Sequence, residues 1–166
     1  MQSHVVSGVA AAPPWRPGAV ELLAEVRAAG IPVGLVTMSY RQMTDAIVDA
    51  LPVGSFQAVV SGEQVSRGKP HPDPYLLAAQ RLGVEATECV AIEDSVTGAT
   101  SARDAGCAVL VVPAAAPVDG LAGVHVRGSL TGVSLGGLID MLAEDRADRA
   151  QSGSAAESST GVAATG

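Results

Sequence analysis

The chain has 166 residues, enough for one ordinary domain to bury a core without disulfides or a structural metal. Hydrophobic residues make up 48% but aromatics only 2%, so the core must be packed from Val, Leu, Ile and Ala, a palette that suits buried parallel strands covered by Ala-rich helices. A formal charge of -7 and the lack of any Lys/Arg cluster give no footprint for a nucleic-acid backbone, and nucleic acid is excluded as an expected partner.

Cys89 and Cys107 are isolated, matching neither a metal-ligand spacing nor a disulfide framework, and read as reduced structural thiols. The longest apolar run, residues 107–118, is too short to span a bilayer and is broken by Pro113 and Pro117, so no membrane segment is expected. The first 14 residues lack a basic n-region and read as a flexible N-terminus rather than a signal peptide, which leaves a cytoplasmic location by default.

From Trp15 onward helix-period and short apolar segments alternate, the rhythm of an α/β fold. Pro17 and Gly18 open a helix predicted to run to residue 29, with Gly30 as its stop. A strand follows at residues 33–37, then a helix at 40–51 closed by Pro52, and a strand at 56–61. After a loop carrying Lys69, the pattern predicts a helix at 74–82 stopped by Gly83, a strand at 89–92, a helix at 97–105 ended by Gly106, and a strand at 107–112. Residues 114–132 are irregular, and a last helix is predicted at 135–143. Residues 144–166 are rich in Ala, Ser, Gly and charge and read as a disordered tail, so the core domain is expected to span residues 15–143.

Three stretches could carry chemistry. Thr37 ends an apolar strand and is followed by Met38, Ser39, Tyr40 and Arg41 before a helix, which places hydroxyls and backbone N–H groups where anions bind; the same pattern also reads as Ser39 capping the helix. In RGKPHPDPYL, Lys69 sits in a loop stiffened by Pro70, Pro72 and Pro74, though prolines there could serve only to start the next helix. In CVAIEDSVTGATSARDAG a buried strand ends in Glu93 and Asp94, whose carboxylates suit Mg²⁺, the bland alternative being an acidic turn with Ser95 or Thr97 as helix cap. Thr37, Glu93 and Asp94 all fall at strand carboxyl ends, where open α/β sheets bind ligands.

In this order and at these strand ends the three stretches resemble the haloacid dehalogenase superfamily, nearest its β-phosphoglucomutase-like phosphatase branch. VGLVTMS is similar to the strand whose last Thr or Ser binds the transferring phosphate, GKPHPDPYL to the lysine motif and AIEDSVTGATSARDAG to the acidic metal motif, over residues 15–142. The resemblance implies a three-layer Rossmann-like core on a parallel sheet, Mg²⁺ as cofactor, and a small phosphorylated metabolite as substrate. It implies catalytic roles for Thr37 and Lys69, phosphate or substrate contacts from Met38, Ser39 and Arg41 as well, and Glu93 and Asp94 as metal ligands.

The chain departs from the family at its start. Members begin with an apolar strand ending in Asp-x-Asp, whose first Asp attacks phosphorus, and usually carry a helical cap soon after. No aspartate here precedes Asp45 and no cap is present. That strand lies in the middle of the family's sheet, so a gap is expected between the strands ending at Thr37 and Glu93, with HVVSGVA at residues 4–10 as the only candidate to fill it. The expected function is accordingly a phosphatase or phosphomutase core lacking its nucleophile. The alternative is an inactive remnant serving as a phosphate-binding or interaction module. Substrate identity and oligomeric state are not legible in the sequence.

Overall fold

The computed structural model describes residues 15–114 and 117–159, the last six of them as backbone only. The expected flexible N-terminus, with the candidate strand at residues 4–10, and the end of the expected tail lie outside the described residues. In chain order the elements are α1 (Ala19–Ala28), β1 (Gly34–Val36), α2 (Arg41–Asp49), β2 (Ala58–Val60), α3 (Asp73–Leu82), β3 (Val90–Glu93), α4 (Val96–Ala105), β4 (Ala108–Val111), β5 (His125–Val126) and α5 (Leu135–Ser159). Short 3₁₀ turns at Gly62–Gln64 and Ala86–Glu88 lead out of β2 and into β3. Every strand pairing is parallel, as expected for strands joined by helices. The punctuation read in the sequence operates as predicted at Gly83 and Gly106. Both close their helices in the left-handed region, at φ 72° and 102°, where other residues pay a steric penalty.

The strands form two groups, β1 with β2 and β3-β4-β5, with no pairing between β1 and β3 among the described residues. β4 is buried throughout and lies between two apolar layers. On one face Val109 and Val111 pack with Ala91 against Ala79 of α3 and Ala99 and Ala102 of α4. On the other, Ala108, Leu110 and Val112 meet Leu22 of α1 and Leu138 and Met141 of α5. Alternating strand residues thus feed opposite helix layers, which gives the expected three-layer α/β core from small and branched side chains. Cys107 is buried in the first layer, and burial pushes its thiol up to about 12; burial also raises Cys89, and both thiols are free.

Two boundaries differ from the sequence reading. β5 lies inside the stretch predicted to be irregular, paired to Leu110 and Val111, and two residues of strand carry too little periodicity to be seen. The last helix does not stop at residue 143 but continues to Ser159. Its extension is tied down by long-range bonds. Arg149 donates to the carbonyls of Gly106 and Cys107, and His125 Nε2 lies 2.9 Å from Asp145 Oδ1. No described helix is long and apolar enough to cross a membrane.

Candidate active site

The carboxyl ends of β1, β2 and β3 open on the same side, and the loops leaving them touch. An added Cβ on Gly62, just after β2, would lie 3.1 Å from the Met38 carbonyl, and one on Gly68 would lie 2.9 Å from Met38 Sδ. Met38 therefore lies against the loops that follow β2 and precede α3. Thr37 is fixed to the sheet by its backbone N–H, which donates to Val60 O at 2.9 Å. Its Oγ1 accepts from Ser39 N at 3.1 Å, which leaves the hydroxyl proton free to point outward. Ser39 does not cap α2: Tyr40 holds the cap position, with no side-chain cap bond. The first-turn N–H groups of α2 therefore keep no side-chain acceptor from this motif.

Lys69 reaches across the interruption in the sheet. Its Nζ donates to the Val36 carbonyl at the end of β1, at 3.1 Å, and to Glu93 Oε1 at the end of β3. The pair is well shielded, the lysine side chain 12% and the glutamate side chain 7% exposed. Tyr75 completes the cluster. Its hydroxyl donates to the same Glu93 oxygen and its ring centroid lies 5.3 Å from Lys69 Nζ, within cation–π range. Burial, then the neighbouring Glu93 charge, raises the Tyr75 phenol far above its ordinary value, so it stays a proton donor.

The lysine loop is held by more than its prolines. Arg67 makes a two-pronged bond to Asp73 at 3.0 and 2.9 Å across the base of the loop, and Ser101 of α4 donates to the His71 carbonyl. The Arg67 guanidinium holds the Asp73 carboxyl below its ordinary value and is itself raised by that bond. Arg67 is exposed and Asp73 only half-buried, so the bond orders the loop more than it stabilises the fold.

Glu93 and Asp94, adjacent in sequence, face different environments. Glu93 is buried, while Asp94 is exposed and makes no side-chain hydrogen bond among the described residues. Glu93 is accommodated because residue 98 is glycine: an added Cβ there would fall 1.9 Å from Glu93 Oε2. Ser95, one of the two expected caps, accepts from Gly98 N at 3.2 Å and starts α4 at that point. Arg41 is turned elsewhere, paired at 3.7 Å with Asp45 one turn along its own helix.

A direct prediction arises from Gly98. Helix propensity alone makes Gly98→Ala stabilising by roughly 1 kcal/mol. The close approach of Glu93 reverses the sign, and overpacking is expected to cost about 1–3 kcal/mol, which thermal unfolding would register as a fall of roughly 2–10 °C. The same substitution in a Glu93→Ala background should be harmless or stabilising. A rise in Tm in the otherwise native chain would show that the two groups do not compete for space.

Magnesium, which the sequence resemblance implies, finds here an incomplete set of ligands. Mg²⁺ demands a near-octahedral shell of about six oxygens, some of them water. Asp94 offers a free carboxylate and Glu93 only the oxygen not taken by Lys69 and Tyr75. No group of three or more His, Cys, Asp or Glu side chains able to hold a metal occurs among the described residues.

Comparison with known proteins decides the family. The model of haloacid dehalogenase-like hydrolases matches residues 4–106 of this chain. The chain belongs to that family. Hexitol phosphatase A of Escherichia coli is 42% identical over 100 residues, which cover 60% of this chain and 46% of that protein. The crystal structure of CbbY from Rhodobacter sphaeroides in complex with phosphate superimposes with a TM-score of 0.72 at 31% identity, covering 79% of this chain and 62% of that one. β-Phosphoglucomutase from Clostridium difficile shares the fold, with a TM-score of 0.73 at 21% identity over 86% of this chain and 64% of its own. The likeness to the hexitol phosphatase and to CbbY is consistent with the β-phosphoglucomutase-like phosphatase branch of the haloacid dehalogenase-like hydrolases. The chain spans about half the length of the curated relatives it matches, with 46% and 44% of the first two covered.

Thr37 and Glu93, with Asp94 beside it, therefore stand at the carboxyl ends of the two strands that flank the interruption, where the residue pattern put them, and Lys69 reaches both ends from its loop. Tyr75 and Gly98 do not stand out in the sequence. Each carries a signal of a kind: an aromatic in a chain with only two tyrosines, and a glycine inside a predicted helix.

Proposed function

We propose that this haloacid dehalogenase-like chain carries the phosphate-binding and lysine half of a phosphatase or phosphomutase site for the phosphate ester of a small metabolite. The observation that carries the reading is Lys69, a shielded ammonium joined to Val36 O and Glu93 beside Thr37. A phosphoryl group seated there would accept from the free hydroxyl proton of Thr37, from Ser39, and from backbone N–H groups around Met38 and the start of α2. Lys69 would offset the charge that accumulates on its oxygens, held in place by Glu93, Tyr75 and the Arg67–Asp73 clasp. Arg41, exposed on α2, would meet the rest of a substrate once it leaves Asp45.

Asp94 and the second oxygen of Glu93 are this chain's contribution to a Mg²⁺ site, the other ligands coming from outside the described residues. A divalent ion bound there would add Lewis-acid neutralisation of phosphoryl oxygens. No residue of the cluster is given the part of nucleophile, because no described aspartate other than Asp94 stands at a strand end beside Lys69. A second reading, a non-catalytic phosphate-binding or interaction module, draws support from the interrupted sheet.

The purified chain is expected to hydrolyse an aryl phosphate no faster than its Asp94→Ala variant, while binding inorganic phosphate in a way that Thr37→Val weakens. Phosphorus NMR line widths read the second effect without relying on turnover. Magnesium-dependent turnover abolished by Asp94→Ala would mean that some residue of this chain serves as nucleophile. Phosphate binding indifferent to Thr37→Val would remove the phosphate site itself.

A further inference from the structure

Cys89 and Cys107, the chain's only cysteines, are separated by a helix in sequence and are neighbours in the sheet. Val90 of β3 and Ala108 of β4 are partners across the parallel pairing, and the Ala108 N–H donates to the Cys89 carbonyl at 3.0 Å. The two cysteines stand one residue earlier on each strand, and Cys89 is already extended, at φ -103° and ψ 146°. Neighbouring strands lie about 4.8 Å apart, inside the range of roughly 4.4–6.8 Å between Cα atoms that a disulfide bridges. Side chains that share a register position on parallel strands point to the same face. Both sulfurs accordingly belong to one apolar layer, Cys107 within the cluster of Ala91, Val109 and Val111 and Cys89 packed against it.

The pair is not sealed in. Both residues line a cleft of about 500 Å³ between β1 and β3, and Cys89 is half-buried where Cys107 is 2% exposed. Cys89 Sγ donates to the Glu85 carbonyl at 3.4 Å, a weak bond that a rotation about Cα–Cβ gives up. Burial, then the charge of Cys89, raises the Cys107 thiol, which puts the two groups within electrostatic reach; the Arg149 guanidinium, bonded to the Cys107 carbonyl at 2.9 Å, works the other way. Burial raises the Cys89 thiol as well, so exchange at neutral pH is slow and enters at the more accessible Cys89.

We propose that Cys89 and Cys107 form a dithiol site across β3 and β4 that a low-molecular-weight disulfide closes to an intrachain bridge. The Cys89 thiol loses its proton and attacks one sulfur of the small disulfide, expelling a first thiol. Cys107 then loses its proton and attacks the Cys89 sulfur, expelling the second. Two S–H bonds are lost and one S–S bond is formed in the chain. The small disulfide takes up the two electrons and, with both protons, leaves as two thiols.

Oxidised glutathione, brought to equilibrium with the whole chain, tests the proposal. Trypsin cuts after Arg81, Arg103 and Arg127 and leaves the cysteines on residues 82–103 and 104–127, two peptides that only a bridge joins. The native chain is expected to lose two hydrogens in mass, to yield the joined peptides and to stay a single chain. Cys107→Ala should stop at one glutathione adduct on Cys89. Because the sheet holds the sulfurs side by side, the folded chain should close with an equilibrium constant roughly tenfold or more above that of the same chain in urea. A ratio of one or less overturns the proposal, since the bridge would then owe nothing to the fold. So do separate adducts on both cysteines without a bridge, a native chain left with both thiols, and a bridge found only between two chains.

Discussion

Glu93→Ala is expected to lower stability by about 3–5 kcal/mol, the cost typical of leaving one member of a buried ion pair without its partner. The pair qualifies, with side-chain exposures of 12% for Lys69 and 7% for Glu93. Removing the carboxylate leaves the ammonium with the Val36 carbonyl and the face of Tyr75, neither of which carries a full negative charge. It also deprives the Tyr75 hydroxyl of its acceptor. For a chain of this size the loss corresponds to a fall in Tm of roughly 6–20 °C. Tyr75→Phe removes a single hydrogen bond to a charged group and should cost less, about 1.5–3 kcal/mol. The decisive comparison is Lys69→Met combined with Glu93→Leu. Replacing both charges by apolar groups of similar volume avoids the stranded charge, so the double variant should recover much of the stability that Glu93→Ala loses. Thermal or urea unfolding of the variants, taken as a double-mutant cycle, reads the coupling. Additive losses would show that Lys69 and Glu93 do not depend on each other and that the cluster is held by its surroundings.

This dependence explains which parts of the molecule the sequence discloses. Strand ends and helix stops follow from local chemistry, so the positions of Thr37, Lys69, Glu93 and Asp94 relative to the sheet are legible in the residue pattern alone, as are Gly83 and Gly106. The interruption between β1 and β3 is legible too, because a resemblance that lacks one strand predicts where the gap falls. Long-range partnerships are not. Tyr75 reads as one more helix residue until Glu93 is known to turn inward, and Gly98 reads as a flaw in a helix until the carboxylate beside it is seen. The reach of α5 past residue 143 depends on Arg149 finding the Gly106 and Cys107 carbonyls, more than 40 residues away in sequence. No window of periodicity contains such a bond. His125 and Val126 pair with β4 for a similar reason, since two residues become a strand only because an edge lies beside them.

The largest expected effect on activity comes from supplying a family-type nucleophile beside the cluster. Fusing a family-type N-terminal segment, with its Asp-x-Asp strand and cap, ahead of Trp15 should place a nucleophile between Thr37 and Glu93, at the end of the cleft that Lys69 now bridges. Two gains are then expected together. Pairing to both β1 and β3 should raise the unfolding temperature, and magnesium-dependent hydrolysis of small phosphate esters should appear where the unfused chain is expected to show none. Within the fusion the two kinds of site residue should separate by kinetics. Lys69→Met removes a preorganised positive charge from the transferring phosphoryl group, an effect on kcat of the order of 10² to 10³ by analogy with loss of one such donor elsewhere, and added metal should not restore it. Asp94→Ala removes the carboxylate proposed as a metal ligand instead, so part of its defect should recover as the magnesium concentration is raised. Because Lys69→Met also disturbs the Glu93 pair, its activity should be read beside Lys69→Met/Glu93→Leu, whose fold is expected to be sound but whose lysine is still absent. If that double variant is stable yet as slow as Lys69→Met alone, a folding defect is ruled out as the cause of the loss, although the double variant also lacks the Glu93 oxygen proposed for the metal. A fusion that folds and binds magnesium yet turns over none of a broad panel of sugar and other small phosphates would set the phosphatase reading aside in favour of the binding module.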